Sequence, residues 1–294
     1  MGHVLHALIE PGFFSSSPVR LALAIGGLVA IVASVVGVFT VIRGQAFAGE
    51  ALGDIGASGG ASAYLAGIGA LWGFVAFSVA AAGAMELIGV QRVRGRDLAT
   101  GIVLGAGFGI AALFLYLGTT YDNTSGATVT ILFGAIFDLT SSELPLVLGF
   151  GLLVMVTLAG LYRPLMLASI SPELAAARGV PVRLVGAAYL ISMAVAVALS
   201  AVTIGAILST ALLVGPAAAA LRLTTRPGRA IATAAVIGVS STWLGVLLAY
   251  DSYDWTASHK AWPPSFFIVT VVLAAYLLAG RFCKSGRRGR GLSA

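Results

Sequence analysis

The sequence predicts an all-α fold, a polytopic bundle of membrane-spanning helices, on three observations. Of 294 residues, 59% are hydrophobic and 10% are charged, against roughly 25% charged in soluble domains. Apolar runs near the ~20 residues that cross a bilayer recur at 20–42, 46–66, 70–90, 98–118, 144–162, 184–203, 206–221, 230–250 and 263–281. Basic residues gather at alternate junctions between those runs. No remaining stretch is long enough for a soluble domain, so 1–294 reads as a single transmembrane domain of about 8–9 spans.

The first 18 residues precede the first span. Its first basic residue is Arg20, so the segment lacks the charged start of a cleaved signal peptide. His3, His6 and Glu10 there make at most a weak surface metal site.

The second run, "FAGEALGDIGASGGASAYLAG" at 47–67, carries Glu50 and Asp54 inside a segment of membrane length. Four residues apart on a helix, two side chains share one face, with β-carbons about 5–6 Å apart. A carboxylate at the bilayer centre costs on the order of 2.5–3.5 kcal/mol on insertion scales, and like charges side by side add repulsion unless a cation or proton intervenes. The pair is therefore a candidate metal site. The alternative is a shallow position, with both acids in a first helical turn. Gly49, Gly53, Gly56 and Gly60 lie on small-xxx-small spacing, which lets another helix approach closely.

Charge sets the expected topology. Arg43, Arg92, Arg94, Arg96, Arg163, Arg178, Arg183, Arg222, Arg226, Arg229 and the tail from Arg281 hold 15 of the 17 basic residues at alternate junctions. The other junctions carry Asp122, Asp138, Glu143, Asp251 and Asp254, against Lys260 alone. The positive-inside rule then places the N-terminus, with 1–18, outside and the basic tail 282–294 in the cytoplasm. A pI near 9.8 is a topology signal, and no nucleic-acid partner is expected. Tyr250, Tyr253, Trp255 and Trp262 read as an interfacial aromatic belt. Residues 126–142 are too short for a comfortable span, and a re-entrant helix on the outer face keeps the charge alternation intact. The lone cysteine, Cys283, excludes an internal disulfide and a cysteine metal site.

The loop "ISPELAAARGVPVR", 170–183, encodes a helix of less than two turns. Ser171 can cap it, Pro172 suits its first position, Glu173 favours the positive end of its dipole, and Gly179 can end it in the left-handed conformation. So short a helix is not stable alone, so it either docks against something or serves as a plain connector. The chain has no GxxxxGK[ST] phosphate loop, and neither of its lysines, Lys260 and Lys284, follows a glycine. It is not its own ATPase. A partner drives it, an ion gradient drives it, or it is a passive channel.

"LIEPGF", "FAGEALGDIGASGGA", "RDLATGIVLGAGFG", "ILFGAIF", "PELAAARGVPV", "TIGAILSTALLVGPAAAA" and "GVLLAY" resemble, in order and spacing, the membrane subunit of metal-cation ABC importers. That family takes up manganese, zinc or ferrous iron. The resemblance implies a permease that dimerises and has no permanently bound cofactor. It also implies an extracellular or periplasmic metal-binding protein and a cytoplasmic ATP-binding cassette subunit. The latter would receive the 170–183 loop as a coupling helix, through Glu173, Ala176, Ala177, Arg178 and Gly179. The family usually has an acid followed four residues later by histidine where this chain has Glu50 and Asp54. An all-oxygen pair favours manganese over zinc, which prefers histidine and cysteine. Asp97 matches a family acid at a span's cytoplasmic start, where its charge also suits the helix dipole. The outer loop "DSYDWTASHKAWPPSFF" departs from the family pattern, and no role is carried across there. The alternatives are a stand-alone gradient-driven transporter or channel, and a non-transport assembly partner.

Overall fold

The computed structural model describes residues 16–88, 96–121, 130–134, 136–255 and 262–290. Among them these α-helices follow in chain order: α1 (Ser17–Ile42), α2 (Ala46–Leu65), α3 (Ala70–Ile88), α4 (Arg96–Tyr121), α5 (Leu144–Ile170), α6 (Pro172–Ala177), α7 (Val182–Ile204), α8 (Ala206–Leu223), α9 (Pro227–Asp251) and α10 (Pro264–Arg290). No strand occurs among the described residues.

Among the described residues seven helices are long and apolar enough to cross a membrane: α1, α3, α5, α7, α8, α9 and the Pro264–Arg281 part of α10. Of the two further spans expected, α2 is long enough but less apolar, and in α4 the described apolar stretch is Thr100–Phe114. In α2 the cause is composition, since small residues and two carboxylates replace branched aliphatics. Burial compensates, because 13 of its 20 residues are buried. α1 and α7 form the centre of the bundle, whereas α5 and α10 lie at its rim, where Leu152, Val156, Leu273 and Leu277 are exposed as lipid-facing side chains would be.

Contacts fix the relative directions of α2, α7 and α8. Gly49 and Gly53 of α2 meet Met193 and Val197 of α7 in ascending order, so these two run parallel. The same glycines meet Leu213 and Ser209 of α8 in descending order, so α8 runs back. Gly56 and Gly60 face Phe74 of α3, and a β-carbon on Gly59 would overlap the carbonyl oxygen of Gly73. The small-residue spacing thus serves close helix approach, as expected. Ser58 donates to the Gly107 carbonyl of α4 at 3.0 Å and Ser78 of α3 donates to the Leu52 carbonyl at 3.0 Å. These satisfy hydroxyls that would otherwise be orphaned in the bundle.

Turn chemistry produces the reversals. After α1, Gly44 takes φ 62°; its N–H bonds to Val41 O at 3.1 Å and that of Gln45 to Thr40 O at 2.9 Å. After α2, Gly67 takes φ 69°, with Ile68 N–H on Ala63 O at 2.8 Å. Both are paired-bond Schellman endings. Between α7 and α8 a single residue, Gly205 at φ 91°, breaks the helix. Its backbone packs against Gly134, itself at φ 77°. The 126–142 segment, expected as a re-entrant helix, is described in part: residues 130–133 are helical, and 136–138 and 141–143 are turns. Ile131, Ile136 and Leu139 are buried in the core. His3, His6, Glu10, Asp122 and His259 lie outside the described residues, as do the side chains of Asp97 and Cys283.

Candidate functional site

Glu50 is exposed on the wall of an apolar cavity of about 530 Å³. Three helices supply that wall: α2 with Ala46, Phe47 and Glu50, α8 with Thr210, Val214 and Gly215, and α10 with Val269, Leu273 and Tyr276. The placement follows from the helix period. Gly49 and Gly53 turn inward onto α8, and the next residues, Glu50 and Asp54, point about 100° away. They fall on the edge of the bundle rather than in its core.

The two acids do not share one environment. Glu50 lines the cavity, whereas Asp54, one turn on, is half-buried and does not line it. No acid lies in the first turn of α2, so a first-turn location on the dipole does not describe them. Among the described residues no three of His, Cys, Asp and Glu come together. One protomer therefore offers a cation two carboxylates at most from this helix.

At one end of the cavity Arg222 of α8 stacks over the Tyr276 ring of α10, 3.7 Å from its centroid, and donates to its hydroxyl. Sequence reading missed this pair. Arg222 was legible only as one charge among others at a junction, because its partner lies 54 residues along the chain.

The 170–183 loop has the anticipated geometry. Ser171 Oγ accepts from the Leu174 N–H at 3.2 Å, with Pro172 in the first turn and Glu173 beside it. At the far end Gly179 has φ 77°, and the Val180 N–H reaches Ala175 O at 3.0 Å while that of Gly179 reaches Ala176 O at 3.0 Å. Ala175 is fully buried against the bundle, whereas Glu173, Ala176, Ala177, Arg178 and Gly179 are exposed. One face of α6 is anchored and the other is free.

The manganese transport system membrane protein MntC of Halalkalibacterium halodurans is 32% identical over 239 residues, covering 81% of each chain. The manganese import system permease protein ScaB of Streptococcus parasanguinis is 27% identical over 241 residues, covering 81% of this chain and 82% of its own. Among solved structures, a chain of PsaBC from Streptococcus pneumoniae in complex with Fab superposes with a TM-score of 0.76 at 23% identity, covering 91% of this chain and 92% of that one; that likeness is one of fold. The model of the ABC 3 transport family matches residues 17–281, and the chain, a multi-pass membrane protein, belongs to that family.

Proposed function

We propose that the chain is the permease subunit of an ATP-driven importer of a divalent transition metal, with manganese favoured over zinc or ferrous iron. The observation that carries the reading is the exposed carboxylate of Glu50 in an otherwise apolar cavity between α2, α8 and α10. An ionisable group on an apolar wall of a membrane-length helix is costly unless it meets a partner or a passing ion. The manganese systems named for its relatives accord with a site of oxygen ligands, which suits manganese.

Two carboxylates fill only part of the octahedral oxygen shell that manganese prefers. A homodimer with the α2–α8–α10 faces opposed would bring a second Glu50–Asp54 pair, with water completing the shell. Phosphate chemistry belongs to a separate ATP-binding cassette subunit, since the chain has no phosphate loop. The free face of α6, through Glu173, Ala176, Ala177, Arg178 and Gly179, is the docking surface for it. A binding protein outside the plasma membrane delivers the ion. In this reading residues 1–294 are one permease domain, with 1–18 outside, and 170–183 and the tail 282–294 in the cytoplasm.

The test is purification from native membranes followed by reconstitution. A co-purifying ATPase, together with ATP-dependent manganese uptake by the complex, is the expected result. Uptake by the chain alone, driven by a gradient, would overturn the reading.

A further inference from the structure

Arg43 sits in the turn that enters α2, and it touches a second residue of that turn and two other elements. Its Nε donates to Gln45 Oε1 at 3.2 Å, and Gln45 is a buried side chain that needs such a partner. Its Nη1 reaches Ser169 Oγ, in the last turn of α5, at 3.5 Å. Its guanidinium lies over the Tyr189 ring, two turns into α7, at 5.2 Å. Tyr189 is itself fully buried, and its hydroxyl meets Thr40 Oγ1 of α1 at 2.7 Å. Ser169 stands two residues before Ser171, the cap of α6, and α7 starts five residues after α6 ends. Arg43 therefore bridges both helices that flank the exposed α6 loop. On the other side, only Gly44 and Gln45 separate it from the first residue of α2, and Glu50 follows one turn later.

We propose that Arg43 is a positioning residue that transmits displacement of the α6 loop to the helix bearing Glu50 and Asp54. The inference rests on the permease reading and adds to it a route for coupling. A planar guanidinium can stack on one group while donating in its plane to two others. When α6 is pushed, the last turn of α5 and the start of α7 move with it, and the Arg43 fork carries that motion into the α1–α2 turn. A competing role exists, since a basic residue at this junction also serves as a positive-inside anchor. Lysine separates the two. It keeps the charge but has neither the fork nor the planar stack.

The experiment measures manganese ions taken up per ATP hydrolysed, in liposomes holding the chain and its co-purified ATP-binding subunit. Arg43→Lys is expected to insert and assemble normally and to hydrolyse ATP. It should lower the uptake-to-hydrolysis ratio roughly fivefold, a size typical of substitutions between coupled sites, with the half-saturating manganese concentration unchanged. Ser169→Ala breaks one strand of the bridge and leaves the Gln45 and Tyr189 contacts, so its ratio should fall about twofold. A wild-type ratio in Arg43→Lys overturns the proposal. If Arg43→Lys fails to assemble, a wild-type ratio in Ser169→Ala overturns it instead. The permease reading fails separately, through a wild-type complex that moves no manganese.

Discussion

Glu50 and Asp54 occupy the same helix face, yet one opens onto a cavity and the other is half-buried a turn away. Spacing alone showed that they could share a cation. It could not show which of them is accessible, because accessibility depends on α8 and α10, more than 150 residues along the chain. If both contact the ion, Glu50→Gln and Asp54→Asn should each cut uptake more than tenfold while assembly persists, since loss even of an outer-shell partner costs a metal site about 10–100-fold. Asp54→His should retain transport and shift preference toward zinc, because imidazole binds zinc more readily than a lone carboxylate does. Competition uptake of manganese against zinc measures this. Active neutral variants with an unchanged preference would mean that the acids never touch the ion.

At the scale of elements, α6 was the most legible and the entry to α2 the least. Each feature of α6 is local: Ser171 caps a donor three residues on, and Gly179 supplies the left-handed ending. Local bonds leave local signatures, so the cap and stop were readable in the sequence. Arg43 is the converse, with contacts to Ser169 and Tyr189 that are 126 and 146 residues distant. Likewise the glycines of α2 predicted a close approach but not which helix would make it; the answer is α3 for Gly59 and Gly60 and α8 for Gly53. The anchored and free faces of α6 make a prediction. Proline at Ala176 removes a helical N–H and clashes with the preceding turn, at a cost of about 3 kcal/mol in a helix interior, and Ala177→Glu puts a bulky charge on the free face. Both variants should insert normally, fail to retain the ATP-binding subunit on affinity purification, and lose transport. Wild-type transport in either would reduce α6 to a connector.

Across the whole molecule, helix directions turn a pattern of charges into a spatial one. Arg43 ends α1, Arg222 lies in the last turn of α8, Arg226 precedes α9, and Arg178 and Arg183 flank the start of α7. The parallel and antiparallel contacts bring these termini to one end of the bundle. Asp138, Glu143 and Asp251 belong to the opposite end, beside Tyr253, Trp255 and Trp262, which are exposed as interfacial aromatics are. The alternation read along the chain is therefore a polarity of the folded bundle. What joins that polarity to a membrane is the positive-inside rule, which counts Lys and Arg in short loops. On that rule we propose that the basic end, with α6, faces the cytoplasm, where an ATP-binding subunit would reach it. Single cysteines at positions 94, 178 and 226, in a background with Cys283 replaced, should react with an impermeant maleimide only from the cytoplasmic side, and one at 256 only from outside. Position 178 decides most. If it is labelled from outside, the orientation is inverted, the free face of α6 cannot meet an ATP-binding subunit, and the coupling role of the loop falls with the topology.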